Sequence, residues 1–389
     1  MILVGIDVAK DKHDCFIQNA EGKVLYKAFS FANNYEGFEE LYAEILSCND
    51  DIVRVGLEAT GHYSYNLLGF LLSKELPTFV FNPLQTNQFR KSLSLRKTKT
   101  DKVDAKTIAL MLTTESADNT YSLQAYQNEE LKSLTRYRFD KVNQRSKLKQ
   151  SLSRLIAILF PELESVVSTV HSNSIYAMLL KYPSAKDVAK SQLHSLTNLL
   201  ESSSRGRIDS DKAKEIRNLA RKSVGVYVSA KVLELRHTIK LIQILDDEIA
   251  EIEENIESHM QEIHSPIESI PGISFRLAAV IESEIGDFHR FSSPDKILAF
   301  AGLSPSTYQS GKFTSQNATM EKRGSRYLRY ALLLAAHLVG KYSKTFSSYL
   351  KKKRDEGKHY FVALSHVSKK LIRVIFHLQR TGESFLDFA

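Results

Sequence analysis

The fold class of this chain rests on the stretch ILVGIDVA at residues 2–9. The stretch is apolar and rich in β-branched residues, which is typical of a strand buried inside a sheet. It carries one acid, Asp7, and a carboxylate within an apolar strand needs a partner. We therefore expect a central strand that brings a carboxylate to the edge of a sheet.

Strands and helices alternate through residues 1–120, judged by apolar spacing and turn residues. Short polar turns join the first three strands, which predicts an antiparallel meander. The expected strands are 2–9, 13–19, 23–31, 52–59 and 77–81, and the expected helices are 35–47, 66–76 and 100–113. The order β-β-β-α-β-α-β-α predicts an α/β domain over residues 1–120, in which helices pack on a mixed sheet.

The rest of the chain predicts an all-α part. Two long amphipathic helices, at about 128–160 and 226–263, belong to a predicted helical domain at 121–263. Apolar residues of the second helix step by three and four positions from Ile242 to Ile256, which is heptad spacing. We therefore expect the two helices to pair as an antiparallel or intermolecular coiled coil, and their opposite charges favour pairing.

Two other regions complete the helical part. Segment 165–225 is polar, rich in serine and less regular, with short helical stretches. A C-terminal helical domain is expected at 264–389, and it begins with IESIPGISFRLAAV, residues 267–280. This sequence resembles a helix-hairpin-helix, a small module whose hairpin amides can hold a phosphate.

Charge is unevenly distributed along the chain. Lys and Arg number 53 against 45 Asp and Glu, a net charge of +8. Residues 90–106, 132–154 and 321–354 carry net charges of +5, +7 and +9, whereas 241–257 carries −7. A single block is usually a solvated helix face, but three separated basic blocks favour a protein that holds a nucleic-acid backbone. The candidate nucleic-acid-binding residues are Arg90, Lys91, Arg96, Lys97, Lys99, Lys102, Lys312, Lys322, Arg323, Arg326 and Arg329.

Composition excludes several classes of protein. Two cysteines, Cys15 and Cys48, cannot form a disulfide scaffold in 389 residues, so we expect reduced thiols. No apolar run approaches the roughly 20 residues of a membrane span, and the N-terminal stretch does not have a signal-peptide pattern. We expect a cytoplasmic protein without membrane contacts, associated with the nucleoid when active.

Four acids stand at the ends of predicted elements. Asp7 follows the first strand, Glu58 the fourth, and Asp101 and Asp104 share one side of a helix start. Clustered carboxylates repel one another and remain ionised only near cations, and Mg²⁺ or Mn²⁺ prefers such oxygen ligands. Each acid alone could be a helix cap or a surface charge, an alternative that is strongest for Asp101. The order of the acids along the predicted fold matches the layout of a ribonuclease-H-like nuclease.

The chain resembles the DEDD transposases of bacterial insertion sequences. The resemblance is carried by GIDVAKDKHD (5–14), GLEATGHYS (56–64), KTDKVDAKTIA (99–109) and, near the other end, AAVIESEIGDF…STYQSGKF (278–313) and KRGSRYLRYALLLAA (322–336). The N-terminal domain of these proteins is similar in fold to the RuvC junction resolvase, and pilin-gene invertases belong to the same group. The resemblance therefore implies DNA recombination.

The resemblance also implies roles for single residues. Asp7, Glu58, Asp101 and Asp104 match the DEDD set, which binds divalent metal. Ser310, in YQSGK, matches the serine that attacks DNA and forms a transient phosphoserine bond. Spacing alone would not separate Ser310 from the nearby Ser304, Ser306 and Ser315.

The partners implied by the resemblance are donor and target DNA and a structured guide RNA encoded by the same element. Recombination brings two duplexes together, so we expect a homodimer that assembles into a tetramer, with the acids of one protomer meeting Ser310 of another. Two alternatives remain. A RuvC-like resolvase or nuclease would need the four acids but not Ser310, and a non-catalytic nucleic-acid-binding regulator would need neither.

Overall fold

A computed structural model describes residues 1–48, 52–58, 61–93, 101–115, 120–121, 123–304, 309–310, 313–314, 320 and 322–388. The described chain forms two compact units, Met1–Glu130 and Leu131–Ala389. The first is an α/β unit and the second is almost entirely helical, as expected. The predicted domain limits at 121 and 264 stay a prediction.

The first unit is built on a five-stranded mixed sheet. Its strands are β1 (Ile2–Asp7), β2 (Lys12–Asn19), β3 (Val24–Ala32), β4 (Val53–Glu58) and β5 (Thr78–Phe81). They lie in the order β3-β2-β1-β4-β5. β2 is antiparallel to both neighbours, whereas β1, β4 and β5 run parallel. The predicted meander and the predicted mixed sheet are confirmed.

Helices cover both faces of this sheet. The helices of the unit are α1 (Tyr35–Ser47), α2 (Tyr65–Ser73), α3 (Pro83–Leu93) and α4 (Asp101–Met111). One face packs on α1 and α2 through a buried cluster that includes Ile6, Leu57 and Leu41. The opposite face packs on α4, where Leu3 meets Ile108. Strand side chains alternate between the faces, so this division fixes which residues face α4.

Helix α3 was not expected, because Asn82-Pro83 marks the end of a strand as readily as the start of a helix. The signal was nevertheless present. Pro83 occupies the first helical position, where its missing N–H costs no hydrogen bond. The Asn82 N–H donates to Gln85 Oε1 at 3.4 Å, and the Gln85 N–H donates to the Asn82 carbonyl at 2.8 Å. The bond to the Gln85 side chain is one half of a capping box, and the backbone bond closes the first turn.

Two long helices dominate the second unit, α5 (Leu123–Leu159, whose first turns belong to the first unit) and α11 (Ser229–Ile263). Three ion pairs join them: Arg138–Glu253, Lys141–Glu248 and Arg145–Asp246. Residue numbers rise along one helix while they fall along the other, so the helices are antiparallel. The basic 132–154 block is therefore partly used in pairing with the acidic helix, and coiled-coil packing itself stays a prediction.

Segment 165–225 is more regular than its polar composition suggests. Its neighbourhood contains α6 (Leu163–Val166), α7 (Asn173–Lys181), α8 (Ala185–Lys190), α9 (Leu193–Ser204) and α10 (Ser210–Arg221). Short polar side chains begin these helices: Ser184 accepts from the Asp187 N–H at 3.2 Å, and Asp209 accepts from the Lys212 N–H at 2.8 Å. Much of the polar character is thus helix capping, while Leu179 and Leu196 lie in a shared core.

The C-terminal region packs around a core to which α5 and α11 also contribute, through Leu131 and Ile256. It contains α12 (Phe275–Ile285), α13 (Pro294–Phe300), two short strands, β6 (Gln309–Ser310) and β7 (Phe313–Thr314), and then α14 (Arg326–Tyr342), α15 (Lys344–Asp355) and α16 (Tyr360–Thr381). The predicted helix-hairpin-helix is wrong in its first arm, which is a single 3-10 turn at Pro266–Ser269. Pro266 and Pro271 bound that arm and leave no room for a longer helix. No helix of the described residues could cross a membrane.

Candidate active site

Asp7 and Glu58 end neighbouring parallel strands at the same edge of the sheet. In the β1–β4 ladder Gly5 is the partner of Gly56, and Ile6 is the partner of Leu57. The two acids are the next residues of their strands, and both are half-buried. Since side chains alternate, Asp7 lies on the face of Gly5 and Glu58 on the face of Gly56. That face is the one covered by α4.

The two glycines let α4 approach the strands directly. A Cβ on Gly5 would lie 2.1 Å from the Ala105 carbonyl oxygen, and one on Gly56 would lie 2.9 Å from Ile108 Cγ2. Any larger residue at Gly5 would push the helix away. The glycine two positions before each acid therefore places the start of α4 beside the pair of carboxylates.

Asp104 lies in the first turns of α4 and is 6% exposed. Its Oδ1 accepts a hydrogen bond from Arg90 Nη1 at 2.7 Å, and Arg90 Nη2 donates to Asn87 Oδ1 at 2.8 Å. The backbone of Asp101 begins α4, whereas its side chain is outside the described part of the structure. Asp7 and Glu58 thus lie on the sheet face that α4 covers, Asp104 lies on α4 itself, and the backbone of Asp101 begins that helix.

A further acid, Asp14, belongs to the same face. It is the β2 partner of Asp7 in the ladder, is 4% exposed, and accepts from Ser30 Oγ at 2.7 Å. Its neighbour on that face, Phe16, packs against Ala105 of α4. The alternation within HDCFIQN could have placed Asp14 beside Asp7, because antiparallel pairing was already predicted.

A buried histidine fixes the turn that follows Asp7. His13 is fully buried, and its Nδ1 accepts from the Ala9 N–H at 3.2 Å. Burial lowers the pKa of His13, against the opposing effects of Asn33 and Asp14. The neutral ring keeps its acceptor, so the turn after β1 is held without a buried charge.

The donor set fits a hard divalent cation by its chemistry. Asp7, Glu58 and Asp104 offer carboxylate oxygens, the ligands that Mg²⁺ and Mn²⁺ prefer. Among the side chains that the structure describes, no three His, Cys, Asp or Glu residues are grouped closely enough for one ion. The side chain of Asp101 is not among them, and the close approach of α4 at Gly5 supports a shared site.

Ser310 lies on a small antiparallel ribbon of the second unit. It belongs to β6, where it is the partner of Phe313 of β7. Only the backbone is described there, and Lys312, Ser306 and Ser315 fall outside the described residues. Ser304 is partly buried and precedes the ribbon.

Arg329 closes the loop that carries this ribbon. Its Nη1 donates to the Ala301 carbonyl at 3.2 Å and to the Lys322 carbonyl at 3.1 Å. The Lys322 N–H donates to the Gly302 carbonyl at 3.2 Å. The two ends of the loop are thus joined at the start of α14, and Arg329 has a structural contact in addition to its predicted role.

The other predicted basic residues are described unequally. Lys91, Lys322, Arg323 and Arg326 are exposed, and the Arg326 guanidinium lies 4.7 Å from the Tyr327 ring centroid. Residues outside the description are Arg96, Lys97 and Lys99, and for Lys102 only the backbone is given. Nucleic-acid contact by these residues stays a prediction.

Comparison with known proteins adds a family relationship. Residues 4–161 match a transposase model with a DEDD domain, and residues 264–351 match the model "Transposase IS116/IS110/IS902 family". The pilin gene-inverting protein of Moraxella bovis is 24% identical over 98% of this chain and 97% of its own length. A 44.8 kDa protein of insertion element IS116 from Streptomyces clavuligerus is 24% identical over 99% and 96%. A 43.6 kDa protein of IS110 from Streptomyces coelicolor is 31% identical over 34% and 32%.

Proposed function

Because the chain belongs to the IS116/IS110/IS902 family of DNA transposases, we propose that it cuts and rejoins DNA with four acids and one serine. The acids are Asp7, Glu58, Asp101 and Asp104, and the serine is Ser310. One observation carries the proposal. Asp7 and Glu58 end adjacent strands on the face against α4, and Asp104 lies at the start of that helix.

The strand arrangement supports a ribonuclease-H-like assignment for the first unit. The sheet has three parallel strands, β1, β4 and β5, with an antiparallel extension on one side. Acids stand on the first strand, on its parallel neighbour and on the last helix of the sheet, which is the layout expected of such nucleases. The RuvC-like reading rests on this order together with the motif resemblance.

A divalent cation, Mg²⁺ or Mn²⁺, would be held by Asp7, Glu58, Asp101 and Asp104 and would supply positive charge at a DNA phosphate. The family assignment supports dependence on divalent metal in general. The protein's own contribution would be to bring together the strands and the helix that carry these carboxylates. Gly5 and Gly56 bring α4 onto the strands, and Arg90 fixes one oxygen of Asp104.

Ser310 is the proposed nucleophile. Its hydroxyl oxygen would form a bond to the DNA phosphorus while the bond from phosphorus to one deoxyribose oxygen breaks. The hydroxyl proton passes to solvent water, and the departing oxygen takes a proton from solvent water, so the step consumes no net proton. The phosphoserine bond conserves the energy needed for rejoining, which a hydrolytic cut would release. The backbone of Ser310 belongs to the β6–β7 ribbon, in a loop whose ends Arg329 joins, and this defined position supports the assignment.

We further propose donor and target DNA, together with a structured guide RNA, as the partners. The exposed Lys91, Lys322, Arg323 and Arg326 are suited to nucleic-acid backbones. We propose a homodimer that pairs into a tetramer, in which the acids of one protomer act with Ser310 of another.

The test is the formation of a covalent protein–DNA adduct. Full-length protein is incubated with Mg²⁺, the RNA flanking its element and labelled DNA, and adducts are resolved on a denaturing gel. The proposal expects an adduct with the wild type and none with Ser310→Ala. An adduct that persists in Ser310→Ala would contradict the serine assignment, and Ser304→Ala is the matched control.

Two other results would favour the alternative functions. Cleavage without an adduct would favour a resolvase or nuclease, and binding without cleavage would favour a regulator. Shared active sites are tested by mixing Asp7→Asn protein with Ser310→Ala protein. Recovery of activity in the mixture is expected, and its absence would contradict shared sites.

A further inference from the structure

Arg90 contacts Asp104 in a way that its position in a basic block does not predict. The Arg90 side chain is 23% exposed and the Asp104 side chain 9%, with 2.7 Å between Nη1 and Oδ1. Two neighbouring basic residues have different surroundings, since Lys91 is exposed at the end of α3. Arg90 is therefore directed toward Asp104, whereas Lys91 is directed toward solvent.

The contact leaves part of the Asp104 carboxylate available. Arg90 bonds to Oδ1, and the described residues provide no hydrogen-bond partner for Oδ2. Although Oδ2 has no partner among the described residues, it is not fully buried. One oxygen is thus fixed, while the other remains accessible for a further ligand.

Asn87 holds the other arm of the same guanidinium. Its Oδ1 accepts from Arg90 Nη2 at 2.8 Å, one helical turn before Arg90 on α3. A guanidinium has several donors in one rigid plane, so it can bind Asn87 and Asp104 together, whereas an ammonium is a compact point charge. The order Asn87–Arg90–Asp104 thus ties the position of the carboxylate to helix α3.

We propose that Arg90 is a positioning residue for the divalent-cation site, acting on Asp104 and not on a nucleic-acid backbone. The inference rests on the proposed function, since it takes Asp104 as a metal ligand. Arg90 orients the carboxylate so that Oδ2 faces the cation, and Asn87 orients Arg90. Groups that orient a metal ligand typically change metal affinity by about 10–100-fold when they are removed.

The experiment compares Arg90→Gln, Arg90→Lys and Asn87→Ala with the matched control Lys91→Gln, all in the full-length chain. Mn²⁺ affinity is measured by calorimetry without nucleic acid, and binding to a fluorescein-labelled DNA duplex is measured by anisotropy without metal. Arg90→Gln is expected to weaken Mn²⁺ binding about tenfold or more, with duplex affinity within about twofold of wild type. Lys91→Gln is expected to weaken duplex binding and leave Mn²⁺ binding unchanged.

The conservative variants separate geometry from charge. Arg90→Lys keeps the charge but loses the two-armed contact, so it should weaken Mn²⁺ binding nearly as much as Arg90→Gln. Asn87→Ala leaves Arg90 intact and should give a smaller loss of the same sign. Asn87→Ala also keeps the test valid if Arg90→Gln fails to fold.

Several outcomes would overturn the inference. Mn²⁺ binding that is equal or tighter in Arg90→Gln would mean that Arg90 does not position a ligand, and a loss of duplex affinity equal to that of Lys91→Gln would restore a backbone-binding role. The proposed function fails separately if Asp7→Asn and Asp104→Asn both bind Mn²⁺ like the wild type. Lost binding in those two variants with normal binding in Arg90→Gln would refute the Arg90 proposal alone.

Discussion

The sheet edge of the first unit and the α5–α11 pair of the second unit both concentrate charge, but they arrange it in opposite ways. At the sheet edge, Asp7, Asp14 and Glu58 belong to one face, on which α4 packs. Between α5 and α11, bases of α5 face acids of α11, as in the ion pairs Arg138–Glu253 and Lys141–Glu248. Carboxylates that belong to one face suit a bound cation, whereas these bases of α5 and acids of α11 bind each other directly. A run of charge thus indicates function only after its partners are known.

The largest expected effect tests the proposed catalytic acids at the sheet edge. Asp7→Asn removes a carboxylate but keeps the shape of the side chain, so DNA cleavage should fall by at least about 100-fold. A cleavage assay measures the loss, and thermal denaturation shows that the variant is folded. A variant that cleaves normally would place the site elsewhere.

The packing that brings α4 to the acids is tested by Gly5→Ala. A Cβ there would lie 2.1 Å from a backbone oxygen of Ala105, so we expect a loss of about 3 kcal/mol in the free energy of unfolding. Gly340→Ala is the control, because its Cβ would meet only the flexible end of Leu350 at 2.9 Å. Chemical denaturation of both variants gives the comparison, and equal stabilities would refute the close approach of α4.

Among the described residues of the helical unit, Glu282 is a buried acid without an ion pair. Glu282 is 8% exposed and accepts hydrogen bonds from Ser265 Oγ and Gln379 Nε2. Burial raises the pKa of Glu282 to about 7, against the lowering effect of these two bonds. The folded chain therefore binds the proton more tightly than the unfolded chain. The protonated Glu282 therefore contributes to the free energy of unfolding at acid pH, and this contribution is lost as the pH rises through about 7.

The variant Glu282→Gln cannot titrate and keeps both acceptor contacts. Its stability relative to wild type should therefore increase between about pH 4.5 and 8, by at most about 3 kcal/mol. Urea denaturation at pH 5 and pH 8 measures the change. A stability difference that is independent of pH would contradict a raised pKa.

The smallest expected effect concerns the interleaved charges. Glu253 binds Arg138 and Arg276 at 2.6 and 2.7 Å and has a side chain that is 17% exposed. Glu253→Gln should lower the free energy of unfolding by about 1 kcal/mol, because such partly exposed pairs contribute little. Lys212→Gln, which removes an exposed pair within one helix, is expected to change it by less than about 0.5 kcal/mol. Equal effects would show that the interface pairs are no stronger than surface pairs.

The strands and the placement of the acids could be predicted from sequence, because each depends on local patterns. ILVGIDVA gave a buried strand with an acid at its end, and β1 ends at Asp7. The helix predicted over 35–47 is α1 at Tyr35–Ser47, with Asn34 as its N-cap. These features depend on apolar periodicity and on short polar caps, and both signals come from residues that are close together in the sequence.

Features that depend on long-range packing could not be predicted in the same way. The contact between Arg90 and Asp104 joins two helices that are separated by residues 94–100, and no period in the sequence relates them. The serine-rich segment 165–225 looked irregular, because hydroxyls that cap helices resemble hydroxyls in loops. The role of Ser184 becomes visible only when the Asp187 N–H is seen to donate to it.

The loop before α14 is closed by contacts between its two ends. Residues 302 and 322 are joined by a backbone hydrogen bond, and Arg329 clamps both ends. The helical core therefore meets the two ends of this loop at a fixed distance from each other. The backbone bond and the Arg329 contacts thus fix where the chain leaves and rejoins the helical core on either side of Ser310.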